Sequence, residues 1–394
     1  MMAGRPLRIA MVAGEPSGDL LGSHLVAALQ AHAPDAKFFG IGGPKMMQRG
    51  FDSWYSMDKL AVRGYAEVLK HLPELLRLRR DLKQRLLADP PDIFIGVDAP
   101  DFNLALERDL KAAGTKAAHF ISPSIWAWRG GRIKKIVKAV DLMLCLFPFE
   151  PALYAGRGIK VGYVGHPLAD VIPRTINRQA HRERLGITGD GPVVALLPGS
   201  RQSELQFMAD TYVQTAALLY ERLPDVNLLV PLATRETRLL FESALYRAGL
   251  ANLPVRMLFG HAQDAMGAAD VALIASGTAT LEGALMKCPM VITYKMAKAS
   301  YWLMKRMGYQ PYVGLPNILA GELLAPEILQ EQATPAALAD ALLDLLKDKA
   351  RRERIAERFD AIHAELRQGT AEKAAAAILG ELGLAGQAAQ LAVA

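Results

Sequence analysis

Cysteine is scarce in this sequence, and long uncharged hydrophobic runs are missing. The 394 residues include two cysteines, Cys145 in an apolar run and Cys288 before Pro289. This number excludes a small disulfide scaffold and indicates buried thiols of a reducing compartment. No uncharged window approaches the roughly 18 residues of a membrane span, and the apolar run that ends at Ala13 is too short for an export signal. We therefore expect a protein of the cytosol, or one attached to a membrane from the cytosolic side.

Metal-ligand spacings are missing as well. No Asp-x-Asp follows a predicted strand, no His-x-x-x-His occurs, and the 8 histidines are scattered. The sequence therefore predicts neither a metal nor another cofactor. A content of 51% hydrophobic and 22% charged residues is ordinary for globular proteins and excludes a disordered chain. At about 150 residues per domain, the length favours two domains.

The positive charge is concentrated in two segments, although the formal net charge is only +6. Residues 63–85 hold seven basic and three acidic side chains, and residues 129–138 hold five basic side chains and no acidic one. Nucleic-acid binding is disfavoured because the basic residues alternate with leucines instead of flanking a stacking platform. The first segment predicts an amphipathic helix, which Pro73 should kink or restart. It is either a core-facing helix with a solvated basic end or a surface for an anionic membrane or acyl chains. The residues of that surface are Val68, Leu69, Leu72, Leu75, Leu76, Arg77, Arg79 and Arg80.

Apolar runs alternate with helical patterns along the chain, which is typical of parallel α/β sheets. We predict two Rossmann-like doubly wound domains, residues 1–168 and 169–345, whose sheets face each other across a ligand cleft. Residues 168–190 are polar and strand-poor, as expected of a linker. Helices at 346–394 should pack back on the N-terminal domain. The predicted strands are 8–12, 37–41, 93–97, 117–121, 142–147, 193–197, 227–230, 255–258, 271–274 and 290–293.

A glycine-rich turn follows the first strand. Its glycines fall at positions 14, 18 and 22, which departs from the dinucleotide fingerprint, and the second strand does not end in an acidic residue. A nicotinamide enzyme is therefore disfavoured. Ser17 or Asp19 either caps the following helix or belongs to a substrate-contacting loop.

Two aspartates follow the strand at 93–97. Asp101 stands where a helix N-cap belongs. Asp98 lies at the carboxyl end of the strand, where it is either a satisfied loop residue or a general base for a sugar hydroxyl.

Two loops of the second half suit the diphosphate of a nucleotide. Ser200 and Arg201 precede a helix near Ser203 and offer backbone donors and a guanidinium. Residues 276–280 lead into a second helix, where Glu282 can accept both hydroxyls of a ribose. The alternatives are a surface ion pair for Arg201 and a helix-dipole partner for Glu282.

Nine motifs, in order along nearly the whole chain, resemble the lipid-A-disaccharide synthase family. The block around WAWR and the block LPNILAG are highly specific, whereas the glycine loops alone are not. The motifs are AGEPSGD (13–19), GYAEVLKHLP (64–73), GVDAPDFN (96–103), SPSIWAWRGGRIKKI (122–136), FPFEP (147–151), VGHPL (164–168), LLPGSRQSE (196–204), SGTATLE (276–282) and LPNILAGELLAPEILQ (315–330).

The resemblance implies an inverting glycosyltransferase of the GT-B type that needs no metal. Its donor would be UDP-2,3-diacylglucosamine and its acceptor 2,3-diacylglucosamine 1-phosphate. The products would be a β-1,6-linked disaccharide 1-phosphate and UDP, made on the cytosolic face of the inner membrane. A homodimer is compatible with the resemblance. Another enzyme on the same scaffold, such as a UDP-sugar 2-epimerase or a transferase for a soluble acceptor, stays open.

The resemblance also implies roles for individual residues. Asp98 would take the proton from the acceptor's 6-hydroxyl, and Gly14, Ser17 and Gly18 would line the acceptor side. The donor would be held by Ser200, Arg201, Phe259, Gly260, Ser276, Gly277, Thr278, Thr280, Glu282 and Asn317.

Overall fold

The structure is a computed structural model that describes residues 5–60, 65–127, 130–297, 301–302, 306 and 310–384, with the backbone alone for 65–70. The chain divides into two compact units. Unit 1 consists of Met1–Asp170 and Leu366–Ala394, and unit 2 of Val171–Glu365. The chain therefore returns to unit 1 at Leu366, later than residue 346, where the sequence placed the boundary.

Unit 1 is built on a seven-stranded parallel sheet with the order β3-β2-β1-β4-β5-β6-β7. The order reverses direction between β1 and β4, so the loops after these two strands begin beside each other at the carboxyl edge of the sheet. The central strands are completely buried because helices cover both faces. The strands are β1 Arg8–Ala13, β2 Lys37–Gly42, β3 Asp52–Ser56, β4 Ile93–Val97, β5 Lys116–Phe120, β6 Leu142–Cys145 and β7 Lys160–Tyr163.

Two apolar layers enclose this sheet. One layer includes Leu25 and Leu29 of the first helix and also Ile378 of the C-terminal helix, which packs against the first helix. The other includes Leu78, Leu82 and Leu86 of the third helix. The helices are α1 Pro16–His32, α2 Pro44–Met47, α3 Tyr65–Ala88, α4 Pro100–Ala112, α5 Ile133–Ala139, α6 Pro151–Tyr154 and, at the exit from the unit, α7 Pro167–Val171.

Unit 2 repeats the design with a six-stranded parallel sheet of order β10-β9-β8-β11-β12-β13. Its order reverses between β8 and β11, which places the loops after these strands together. The strands are β8 Val193–Leu197, β9 Asn227–Leu232, β10 Val255–Phe259, β11 Val271–Ala275, β12 Met290–Tyr294 and β13 Glu327–Leu329. The helices are α8 Arg178–Arg184, α9 Gln202–Arg222, α10 Arg235–Arg247, α11 Ala262–Ala268, α12 Thr278–Leu285, α13 Leu315–Ala320, α14 Pro335–Lys347 and α15 Lys349–Leu366, and α16 Thr370–Glu381 lies in unit 1.

The structure corrects one sequence expectation about local structure and narrows another. Residues 168–190 are not a simple linker, because α8 lies there and Arg182 donates a hydrogen bond to Asp270 at 2.8 Å. Helix α3 runs from Tyr65 to Ala88 with Pro73 inside it, so of the two effects expected of this proline, a restart of the helix does not occur. Over the part of the chain that is described, no helix is long and apolar enough to cross a membrane.

Candidate active site

Asp98 lies in a cavity of about 370 Å³ at the carboxyl edge of the unit 1 sheet. Within the described ranges, its carboxylate makes no hydrogen bond and no ion pair. The carboxylate is therefore available to a ligand in the cavity. The cavity is lined by Glu15, Leu60, Leu72, Leu75, Leu76, Arg79, Asp98, Ala99, Pro100, Asp101 and Phe102.

The turn that carries Asp98 is strained and firmly held. Asp98 and Ala99 both have left-handed backbone angles, with φ of 53° and 45°. Such conformations cost about 1 kcal/mol or more per residue and persist only where neighbouring groups fix them. The Asp98 N–H donates to the Phe120 carbonyl at 2.9 Å, and the Asn103 side chain donates to the Asp98 carbonyl at 2.8 Å.

Asp101 is not the N-cap that the sequence predicts. Helix α4 begins at Pro100 and is preceded by Ala99, which has no side-chain cap. Asp101 lies in the first turn of the helix, with an exposed side chain that pairs with Arg132. The predicted cap is wrong because the Asp98–Ala99 turn starts the helix earlier. Glu15, to which the sequence motifs give no role, lines the same cavity as Asp98.

The glycine-rich loop after β1 packs directly against the Asp98 turn. A Cβ on Gly14 would lie 3.1 Å from the Cβ of Ala99, which is a tight contact, so glycine favours this close approach. Ser17 is exposed in the first turn of α1, does not cap the helix and does not line the cavity. Gly18 is buried beside the Val97 carbonyl.

Asp19 lies in the first turn of α1, does not cap this helix and binds the loop after β2 instead. Its carboxylate is buried and accepts hydrogen bonds from the backbone N–H groups of Gly43, Lys45 and Met46 at 2.9–3.0 Å. It therefore fixes the loop after β2 to α1. The cap expected of Ser17 or Asp19 is wrong.

Helix α3 presents apolar side chains to solvent next to the Asp98 cavity. Leu72 and Leu76 are 39% and 42% exposed and line the cavity, whereas Leu78, Leu82 and Leu86 further along the helix are buried. Arg77 and Arg80 are exposed, and Arg79 is half-buried at the cavity wall. The side chains of Val68 and Leu69 lie outside the described residues.

Beside this cavity region, the loops after β5 and β6 form a cluster of rings. Trp126 meets Phe149 edge-on at 5.4 Å between ring centroids, and Phe147 stacks on Phe149 at 5.7 Å. The Trp126 indole donates to the buried Glu150, whose pKa is raised to about 7 by burial. This contact holds the WAW segment in place, while Trp128 and Arg129 lie outside the described residues.

Unit 2 has its own cavity, of about 430 Å³, at the carboxyl edge of its sheet. It brings together most of the residues assigned to the donor. The residues Ser200, Arg201, Gly260, Ser276, Gly277, Thr278 and Glu282 all line it. Thr280, Phe259 and Asn317 do not.

The loop after β8 differs from the expected phosphate cradle. Glu204 of α9 accepts hydrogen bonds from the backbone N–H groups of Ser200 and Arg201 at 3.0 and 3.2 Å and thereby caps the helix. These N–H groups are therefore not available to an anion in this conformation. The Arg201 guanidinium is 68% exposed and 3.6 Å from the Glu204 carboxylate. Arg201 thus makes the ion pair considered as its alternative role and also lines the cavity.

The start of α12 is open, in contrast to α9. Its N-cap is Gly277, no side chain caps it, and its first turn carries no acidic residue. Gly277 has φ +154°, and an added Cβ would meet no atom within 4 Å, because that space belongs to the cavity. Such a helix end favours an anion. The Thr280 hydroxyl is buried and donates to the Gly277 carbonyl at 2.8 Å, so it shapes the turn from below.

Glu282 points a largely buried carboxylate into the same cavity. Burial raises its pKa above the usual glutamate value. Across the described residues, its carboxylate makes neither a hydrogen bond nor an ion pair. A desolvated carboxylate without a protein partner is suited to accept hydrogen bonds from ligand hydroxyl groups.

Two other assigned residues lie apart from the cavity wall. Asn317 is fully buried; its amide donates to the Ala325 carbonyl and to Glu327, and it accepts from the Ala325 N–H. It organises the segment before β13, and its side chain is already saturated. Phe259 is 64% exposed at the end of β10, next to Gly260.

No group of three or more histidine, cysteine, aspartate or glutamate side chains is arranged to hold a metal ion in the described ranges.

The chain has the GT-B fold. A putative UDP-N-acetylglucosamine 2-epimerase from Listeria monocytogenes aligns over 97% of this chain and 98% of its own, with a TM-score of 0.67 at 14% identity. A glycosyltransferase involved in lipopolysaccharide biosynthesis aligns over 95% of this chain and all of its own, with a TM-score of 0.57 at 15% identity. These likenesses establish the fold class predicted from the sequence.

The sequence comparisons narrow the class to one family. The family model described as lipid-A-disaccharide synthetase matches residues 9–379. The lipid-A-disaccharide synthase of Dechloromonas aromatica is 63% identical over 377 residues, which is 95% of this chain and 99% of the relative. The chain belongs to the lipid-A-disaccharide synthase family, an enzyme family, and this confirms the resemblance found in the motifs.

Proposed function

We propose that this protein joins UDP-2,3-diacylglucosamine to 2,3-diacylglucosamine 1-phosphate, giving a β-1,6-linked disaccharide 1-phosphate and UDP. The transfer is a single in-line displacement that inverts the anomeric carbon. Family membership supports the synthesis of a lipid A disaccharide. The observation that carries the mechanism is that two carboxylates at cavities, Asp98 in unit 1 and Glu282 in unit 2, make no hydrogen bond or ion pair with the described residues.

Unit 1 supplies the base for the acceptor. Asp98 takes the proton of the acceptor's 6-hydroxyl as the oxygen attacks the anomeric carbon. Its availability in the cavity supports this role, and so does the strained turn that presents it. The neighbouring loop of Gly14–Gly18 shapes the acceptor side by its close packing on Ala99. The Ser17 hydroxyl of this loop is exposed outside the lining of the cavity, so it contacts only the part of the acceptor that extends out of the cavity.

Unit 2 holds the donor. The diphosphate lies at the open start of α12, with Gly277 and Thr278, and is neutralised by the exposed Arg201 guanidinium. Glu282 accepts hydrogen bonds from the ribose hydroxyls. The leaving UDP is thus stabilised by a guanidinium and helix-end N–H groups, and turnover needs no divalent cation.

The apolar and basic surface of α3 receives the lipid parts of the substrates. Leu72 and Leu76 border the Asp98 cavity, so acyl chains can extend from a sugar in the cavity along the helix. The exposed Arg77 and Arg80 suit anionic headgroups. We propose that this surface attaches the protein to the cytosolic face of the inner membrane.

Product analysis tests the function directly. Purified protein is incubated with UDP-2,3-diacylglucosamine and the acylated glucosamine 1-phosphate in EDTA, and products are identified by mass and by the anomeric coupling constant. The proposal predicts a β-linked disaccharide 1-phosphate and one UDP per product. Abolition by EDTA, an α-linkage, or epimerised donor without transfer would contradict it.

A further inference from the structure

A buried ionisable pair lies directly behind the turn that carries Asp98. The Nδ1 atom of His119 on β5 is 2.6 Å from the Oε1 atom of Glu107 on α4, and both side chains are completely buried. No motif of the sequence analysis assigned a role to either residue, and neither lines a cavity that we describe.

The pair is linked to the backbone of Asp98 through the residues next to it on β5 and α4. His119 stands opposite Gly96 in the β4–β5 register, and the next residue, Phe120, accepts the hydrogen bond from the Asp98 N–H. Asn103, one helical turn before Glu107, donates to the Asp98 carbonyl. A Cβ on Gly96 would lie 2.1 Å from Glu107 Oε1 and 3.0 Å from His119 Nδ1, so the pair fills the space that Gly96 leaves.

The neighbourhood also holds an unusual number of unsatisfied polar atoms. Of seven buried side-chain nitrogen and oxygen atoms without a partner in the described residues, three lie here, namely Asn103 Oδ1, Glu107 Oε2 and His119 Nε2. A buried polar atom without a partner costs about 1–3 kcal/mol. A fold that gathers three of them behind one strained turn gives up stability at that place, which is typical of functional sites.

The charges of the three residues are coupled. Burial disfavours a charge on His119, but the Glu107 carboxylate and, to a smaller degree, Asp98 outweigh it, so the pKa of His119 is raised. Burial raises the pKa of Glu107. The protonation of His119 is thus linked to the charge on Glu107 and, to a smaller degree, to the charge on Asp98.

We infer that Glu107 and His119 are positioning residues that hold the Asp98 turn in its reactive conformation. The inference rests on the proposed function, in which Asp98 is the general base. Neither residue touches substrate; both act through Asp98. The Asp98 turn is thus backed by one cluster of side chains and backbone, formed by Gly96, Asn103, Glu107 and His119. This cluster explains the spacing of Gly96 and Asn103 around Asp98 in the motif.

A double-mutant cycle tests this inference. Glu107→Gln and His119→Gln, which nearly preserve shape, are made alone and together with Asp98→Asn. Each single variant is expected to lower kcat by about ten- to hundredfold, within the range of a lost base function, with the KM of the acceptor and the affinity for UDP unchanged. In the Asp98→Asn background neither is expected to slow turnover further, because the residue they position is gone. Unchanged kcat in both single variants, or losses that multiply with that of Asp98→Asn, would overturn the inference.

Two controls separate positioning from loss of folding. Tyr154→Phe removes another fully buried hydrogen bond of unit 1, that to Ser122, and should lower the melting temperature without lowering kcat.

If the Glu107 and His119 variants do not fold, ¹⁵N NMR signals of the His119 ring decide the question in protein that keeps both residues. Asp98→Asn should shift these signals, and unshifted signals would overturn the coupling. If Asp98→Asn itself retains normal turnover, the proposed function fails in its choice of base, a result distinct from failure of the pair.

Discussion

The Glu204 carboxylate accepts a hydrogen bond from the Ser200 backbone N–H at 3.0 Å and closes the start of α9. The second loop of unit 2 that suits a phosphate lies at the start of α12, and no such carboxylate caps it. The two loops look alike in sequence, since each follows a strand and combines glycine with hydroxyl residues. The structure distinguishes them, because one helix start is internally capped and the other is open. The diphosphate is therefore expected at α12, with Arg201 contributing through its side chain.

Replacing Arg201 should weaken UDP binding. Arg201→Ala removes a charge-assisted contact of about 1.5–3 kcal/mol, so the Kd of UDP measured by calorimetry should rise about ten- to hundredfold. Arg238→Ala is the control, because Arg238 is an exposed arginine of unit 2 that also pairs with a glutamate, Glu242, away from the cavity. Equal UDP affinity in both variants would remove Arg201 from the donor site.

A methyl group at Gly277 should block the diphosphate. Gly277→Ala places a Cβ in the open space of the cavity, and we expect UDP affinity to fall by about tenfold or more. Gly321→Ala controls for backbone strain, since Gly321 also has positive φ, +69°, with open space around it and no place in the cavity. Both variants should lose stability, by about 1–3 kcal/mol, but only Gly277→Ala should lose affinity for UDP. A normal Kd in Gly277→Ala would contradict the site at α12.

Glu282→Gln should separate binding from stability. Because burial raises the pKa of Glu282, the folded state takes up a proton more readily than the unfolded state. Its contribution to stability is therefore most favourable at low pH and declines as the pH rises from the ordinary glutamate range through the raised folded value. Compared with the unaltered protein, the variant should melt at a higher temperature at pH 7 but at nearly the same temperature at pH 4.

The affinity of Glu282→Gln for UDP should fall, and its affinity for a 2′,3′-dideoxy analogue of UDP should fall less. Equal loss for both ligands would refute the ribose contact.

The exposed leucines of α3 should govern attachment to membranes. Leu72→Ser with Leu76→Ser is expected to reduce co-sedimentation with vesicles that contain phosphatidylglycerol and to leave UDP affinity unchanged. Leu239→Ser is the control, since Leu239 is 52% exposed on α10 of unit 2. If the α3 variant still binds these vesicles as the unaltered protein does, α3 is not the attachment surface.

The sequence identifies the fold through its buried strands. Ten strands were predicted from apolar runs, and each is present in the sheets. The three that were missed, β3, β7 and β13, are edge strands with half-exposed, partly polar residues, which leave no continuous apolar run. Periodicity cannot reveal such strands, because their pairing depends on the neighbouring strand.

The candidate site was predictable where function follows from position at a strand end. Asp98, Arg201, Gly277 and Glu282 all stand after or near the carboxyl ends of strands at the two switch points, and the structure places each of them at a cavity. What the sequence could not show is which polar groups are already used. Asn317 is saturated by Ala325 and Glu327, which come closer only in the folded chain.

Asp98 gives the most direct test of the account. Turnover and UDP affinity are measured on the same preparations of the unaltered protein, Asp98→Asn and Asp98→Ala, in the presence of EDTA. The account predicts that kcat falls by about 10²–10⁴-fold while the Kd of UDP stays the same, because the base and the donor site lie in different units. Near-normal turnover without the carboxylate, or a parallel loss of UDP binding, would contradict it.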